Sequence, residues 1–336
     1  MSAVELETEA PSVDATAARG RTPWQLAWER LRRDKVAIGS VVVLAIVVVA
    51  ALAAPLVADW IGHAPNQQFR DTGITPSGLP VAPNAEFWFG TDHLGRDLFV
   101  RVLYGARISL LVGVVATLLA TIIGVIAGMV SGYFGGVVDT ALGRTMDIVL
   151  SLPYLLLALV LATVFGPSLA VTLGIIAFFS WAAIARVVRG QTLALKEREY
   201  VEAARSLGAG DLRIMFVDIL PNLLAPVIVL ATLLVPLTIV IESTLSFLGV
   251  GIVPPQASWG TLLQESIEFY RVAWWFMFFP GAAILLTTLS FNLLGDGIRD
   301  ALDPRAERLL AGRTRRRRTP PAEDEEPTGA AEEVST

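Results

Sequence analysis

The chain has 336 residues, of which 54% are hydrophobic and 17% charged, against about 45–50% and about 25% in soluble domains. That balance excludes an ordinary water-soluble fold and points to a lipid-embedded one. With no cysteine and only His63 and His93 as histidines, the chain has neither a disulfide framework nor a thiolate metal site, and its net charge of −5 owes much to acids in the two tails.

In chain order, residues 1–22 are acidic and lack an apolar core, which reads as a disordered tail and not as a signal peptide. The segment 23–107 holds Arg30, Arg32, Arg33 and Lys35, then a first apolar run at 36–57 and a long polar stretch. Five further runs follow within a core region of 108–300, at 108–130, 148–165, 169–185, 222–241 and 272–295. A bilayer core of about 30 Å needs about 20 apolar residues in helix. The reading is an all-α integral membrane protein with six transmembrane helices, the third and fourth short and joined around Gly166 and Pro167. Residues 301–336 read as a cytoplasmic, largely disordered tail.

Lys and Arg near span ends set the orientation. They crowd before the first run, between the fourth and fifth (Arg186, Arg189, Lys196, Arg198, Arg205, Arg213) and after the sixth (Arg299, Arg305, Arg308). Both termini are therefore expected in the cytoplasm. Trp60, Trp88, Trp259, Trp274 and Trp275 fall near the expected outer ends, where amphipathic rings form interfacial belts or pack inside protein. The second run carries Ala116, Ala120, Gly124, Gly128 and Gly132 at four-residue spacing. These put small residues on one helix face, so another backbone can approach closely.

The polar insert between the fourth and fifth runs is the most ordered cytoplasmic segment. Residues 191–207 contain no Pro or Gly and favour helix. Gly208 suits the left-handed position that ends a helix. Gly210 and Asp211 suit a turn into a second short helix, and Pro221 suits the start of the fifth span. The bland alternative is a solvated connector.

Glu202, Ala203, Ala204, Gly208, Leu220 and Pro221 together resemble the EAA loop of ABC importer permeases; Asp218 departs from the usual apolar residue. Three more stretches resemble the dipeptide/oligopeptide branch and its C-type permease. They are 89–97 with Gly105, Arg107 and Ser109, then 245–251, and 292–305 with Asn292, Gly295 and Pro304. The resemblance covers roughly residues 22–308. It implies the ABC importer type I permease fold in the cytoplasmic (inner) membrane. It implies coupling to ATPase subunits through Glu202, Ala203, Ala204, Arg205, Leu207 and Gly208. The other implied partners are a second, non-identical permease and an extracytoplasmic substrate-binding protein, with no nucleic acid. The chain has no G-x-x-x-x-G-K-[ST] loop, so ATP and Mg are expected on the ATPase subunits and no cofactor on this chain. The implied cargo is a dipeptide or oligopeptide; nickel or another small solute is the alternative within the family.

A secondary transporter would place ionisable groups inside its spans, and only Glu242 approaches that description. An enzyme is disfavoured, since neither H-E-x-x-H nor G-x-S-x-G occurs. Glu242 reads either as an interfacial carboxylate bonded to backbone, Ser243 or Thr244, or as part of the pathway or gate. Arg144 and Asp147 are spaced to pair on one helix. Asp92, Arg96 and Asp97 read as loop-fixing residues; Asp296, Arg299, Asp300 and Asp303 as a charge-paired helix end; and 315–318 as a solvated basic run.

Overall fold

The computed structural model describes residues 23–302, and every regular element among them is a helix. Helix α1 (Pro23–Leu31) leads to Asp34, whose carboxylate accepts from the Val36 and Ala37 amides and so caps α2 (Lys35–Ile61). An irregular segment then runs to Asp97, which caps α3 (Leu98–Phe134) in the same way. Next come α4 (Gly136–Ser151), α5 (Tyr154–Phe165), α6 (Leu169–Lys196), α7 (Glu199–Ser206) and the single turn α8 (Asp211–Arg213). A π-helical stretch, Ile214–Ile219, joins α8 to α9 (Leu220–Phe247); α10 (Trp259–Ser266) and α11 (Trp274–Leu302) complete the described chain.

Five helical rods are long and apolar enough to cross a bilayer: α2, α3, α6, the continuous Asp211–Phe247 rod and α11. The expected third span, 148–165, is not one helix. Leu152 is extended (φ −73°, ψ 135°), and α4 and α5 meet at 89°. Pro153 explains the break, because its ring disfavours helical geometry in the preceding residue. At 12 residues, α5 is about 18 Å long, short of the hydrocarbon core. The sixth crossing therefore exists only as a bent pair.

The small-residue face of α3 meets α6 of the same chain. A Cβ on Gly124 would stand 2.8 Å from the Trp181 carbonyl oxygen, and one on Gly132 would stand 2.8 Å from that of Arg189. Helix–helix contact is most extensive at this seam. Higher up, α3 turns to α9: Gly113 lies under Ile239, and the Thr117 and Thr238 hydroxyls are 3.2 Å apart. Helix α11 packs on both α9 and α2, with Gly295 against Leu233 and Gly297 against Ala37.

The tryptophans divide. Trp60 is 77% exposed and meets Trp88 edge-on at 6.3 Å, and Trp274 is also exposed. Trp259 and Trp275 are buried, donating their indole N–H groups to the carbonyls of Val102 (3.1 Å) and Thr91 (3.4 Å). Of the two readings, packing inside protein holds for those two, because a buried indole N–H is stabilised by a partner there. The expected 191–207 helix is also corrected: it breaks at Glu197 and Arg198, the latter extended (φ −84°, ψ 143°), into the end of α6 and a separate α7.

Candidate functional site

The polar insert folds as a hairpin. Helix α7 buries one residue completely, Val201, which joins Ile214, Met215 and Ile219 in the core. Its end is closed by a Schellman turn: Gly208 (φ +84°) donates to the Arg205 carbonyl and Ala209 to that of Ala204, each at 3.0 Å. Ala204 and Ala209 pack against the core from this turn. Glu202, Ala203, Arg205, Leu207 and Gly208 are exposed, Leu207 by 88%. Ala204 thus faces partly inward, whereas Leu207 and the exposed Leu212 form the apolar tip.

The second arm is fastened to the membrane helices. The Tyr133 hydroxyl at the end of α3 donates to Asp211 (2.7 Å). The Leu220 amide donates to the Met215 carbonyl, five residues back, so the hairpin enters α9 through a widened turn. Pro221 follows directly and has no amide to offer; Asn222 Nδ2 bonds the Asp218 carbonyl at 2.7 Å. Pro221 was the only hint of this wide turn in the sequence.

Glu242 is fully buried. It accepts from Ser109 (2.9 Å), Ser246 (2.7 Å) and Ser243 (3.4 Å), and the Ser109 oxygen also accepts the Trp259 amide (3.3 Å). The carboxylate therefore ties α9 to α3 and to the start of α10. Of the two hydroxyls expected beside it, Ser243 is a partner, while Thr244 instead bonds the Val240 carbonyl. Ser109 was not foreseen, because nothing local links positions so far apart in sequence.

At the opposite end from the hairpin lies a buried charge cluster. Asp92 accepts from the Leu94 and Arg96 amides and from the guanidinium groups of Arg96 (2.6 Å) and Arg101. Glu265 on α10 receives Arg96 (3.0 Å) and Arg101 (2.9 Å). Asp97 both caps α3 and pairs with His63 at 2.6 Å. Two cations and two anions thus clamp the segment before α3 to α10. Burial pushes the Glu265 carboxyl up to about 7, with Arg96 pulling it back and Asp92 adding to the rise. Asp92, Arg96 and Asp97 fix the loop as expected, whereas Arg101 and Glu265 escaped notice. Asp92, His93 and Glu265 approach one another as metal ligands would. Both carboxylates already hold guanidinium groups, which repel a cation.

Arg144 is not the partner of Asp147. Asp147 reaches across to Arg186 on α6 (2.5 Å), and Asp139 pairs with Arg189, because tertiary packing sets α4 against α6. Helix α11 extends through Asp296, Arg299 and Asp300. Asp303, Arg305, Arg308, residues 315–318 and both tails lie outside the described residues.

The family model "Binding-protein-dependent transport system inner membrane component" matches residues 120–308, and "N-terminal TM domain of oligopeptide transport permease C" matches residues 22–75. The dipeptide transport system permease protein DppC of Escherichia coli (strain K12) is 47% identical over 285 residues, covering 84% of this chain and 94% of that protein. DppC of Bacillus subtilis (strain 168) is 43% identical, over 84% of this chain and 86% of its own. The di/tripeptide permease protein DppC of Pseudomonas aeruginosa (strain UCBPP-PA14) is 41% identical, over 84% and 93%. Among solved structures, the inward-facing MetNI methionine ABC transporter aligns at 18% identity and TM-score 0.49, over 60% of this chain and 96% of that one; the assignment rests on the sequence relatives. With matches this long at both ends of the bundle, the chain belongs to the family of binding-protein-dependent transport system inner membrane components.

Proposed function

We propose that this chain is one permease half of an ATP-driven dipeptide importer of the inner membrane, and that α7 with its Gly208 turn is where separate ATPase subunits push. The observation that carries the reading is the hairpin itself. Its tip exposes Leu207 and Leu212 to solvent, while its root, through Val201 and the unbroken 211–247 rod, is built into the bundle. An exposed apolar knob on a rigid mount suits a partner surface better than a solvated connector. The dipeptide cargo is carried over from the names of the relatives.

In this reading both termini and the hairpin face the cytoplasm, following the Lys and Arg distribution. A second, non-identical permease supplies the other half of the path, and an extracytoplasmic binding protein delivers cargo to the end that carries the Asp92–Glu265 cluster. ATP and Mg reside on the ATPases. Their closure shifts the bundle only insofar as ATP binds one conformation more tightly than the other.

The chain has no cysteine, so Leu207→Cys introduces a single thiol. It is expected to crosslink to an ATPase subunit and to resist an impermeant thiol reagent added outside intact cells. Labelling from outside would overturn the orientation, and accessible thiol with no ATPase adduct would overturn the coupling role.

A further inference from the structure

At the outer end of α3 three separate segments line a half-open cavity of about 300 Å³. Asn66 comes from the segment after α2, Tyr104, Arg107, Ile108 and Leu111 from α3, and Gln256 from the loop before α10. No acidic residue lines it. Arg107 is exposed and makes no ion pair among the described residues; its guanidinium lies over the Tyr104 ring at 5.5 Å. Of the other arginines at this end, Arg96 and Arg101 are buried and matched to carboxylates, whereas Arg70 and Arg271 are exposed but do not line the cavity. Arg107 is therefore a cation without an anion, above an apolar wall made by Ile108 and the exposed Leu111.

We propose that this cavity receives the carboxylate end of a short peptide, with Arg107 as the carboxylate anchor and specificity-determining residue. The inference rests on the importer reading above and deepens it by naming the part of the cargo that this subunit reads. A guanidinium offers paired N–H donors that match a carboxylate, and the Tyr104 ring attracts it as a cation–π partner. The Asn66 and Gln256 amides can bond a peptide group, and the apolar wall suits a side chain. The volume lies at the small end of ligand pockets, which suits the terminal residues of a peptide. Arg107, Asn66 and Gln256 offer three polar partners along one molecule, which a peptide's terminus and backbone use more fully than an acyl chain does.

The test uses the complete complex with its partner permease and ATPases, without nucleotide or binding protein. Gln256→Cys places one thiol in this subunit at the cavity wall, and its alkylation is followed with and without excess alanyl-phenylalanine or its C-terminal amide. The free acid should protect the thiol, and the amide should need about tenfold more for the same protection. Arg107→Ala in the same background should abolish that difference, and Arg107→Lys should restore part of it. Equal protection by acid and amide, or a difference that survives Arg107→Ala, overturns the proposal. So does protection that depends on phosphatidylglycerol in the vesicles and not on peptide, which would make the cavity a lipid site. A complex that, with its binding protein, takes up another solute but no dipeptide refutes the importer's cargo instead, and uptake of the dipeptide separates the two failures.

Discussion

Gly128 allows the sharpest test of the packing. A Cβ at this position would stand 2.4 Å from the Ala185 carbonyl oxygen, 2.9 Å from Val188 Cβ and 3.0 Å from the Arg189 nitrogen. Ordinary contact begins at 3.4 Å, and two of the three obstacles are α6 backbone, which cannot swing aside. Gly128→Ala must therefore separate α3 and α6 locally by about 1 Å. Overpacking of this kind costs about 1–3 kcal/mol. The separation also loosens the flanking Gly124 and Gly132 contacts, because close dispersion contacts weaken quickly with distance. Against this, alanine is worth about 1 kcal/mol over glycine inside a helix. The net expectation is a loss of about 1 kcal/mol, to which the loosened flanking contacts add. Gly190→Ala is the control: it lies on α6, where an added Cβ meets nothing within 4 Å, so only the helical gain remains. Thermal unfolding of the purified protein in nanodiscs, followed by tryptophan fluorescence, should place Gly128→Ala several degrees below wild type and Gly190→Ala at or slightly above it. Equal melting of the two variants would show that the helices do not approach as closely as described.

At the hairpin tip, Gly208→Val forces a β-branched residue to a φ of +84°, at a cost of about 1–2 kcal/mol. Uptake by the assembled complex should fall while the amount of protein in the membrane stays normal; undiminished uptake would remove the Schellman turn from the mechanism. At the Asp92–Glu265 cluster, Arg101→Met leaves both carboxylates buried with one cation fewer, at a cost of about 3–5 kcal/mol. The segment from Gly62 to Asp97 should become sensitive to protease added outside, and wild-type resistance in the variant would mean that the cluster does not clamp it.

Run lengths were enough to locate the long helices, since lipid demands unbroken apolar stretches. The Ala116–Gly132 spacing foretold a close helix contact, and Gly208 foretold the turn, because both rest on local backbone geometry. The bend at Leu152 was also signalled locally, by Pro153, but hydropathy averaged over the break and joined two helices into one. The Glu242–Ser109 and Arg101–Glu265 contacts lay beyond reach for a different reason. Their partners are set by which helices meet, and side chains of ordinary type carry no mark of a distant neighbour. Asp147 shows the same effect in reverse: the near arginine at helical spacing lost to one on another helix. Trp259 and Trp275 turned inward, because Val102 on α3 and Thr91 in the segment before it supplied carbonyl acceptors.

Helix α3 runs for 37 residues without a break, about 55 Å, whereas the hydrocarbon layer is about 30 Å thick. Its surplus stands largely outside the apolar run, where Arg101 bears the charge cluster, while its far end meets Asp211 through Tyr133. The two faces of the membrane are thus joined by a single stiff spindle. A rocking of about 5° around its midpoint would sweep each tip sideways by about 2 Å in opposite directions, enough to break a hydrogen bond at one surface as another is strained at the opposite one.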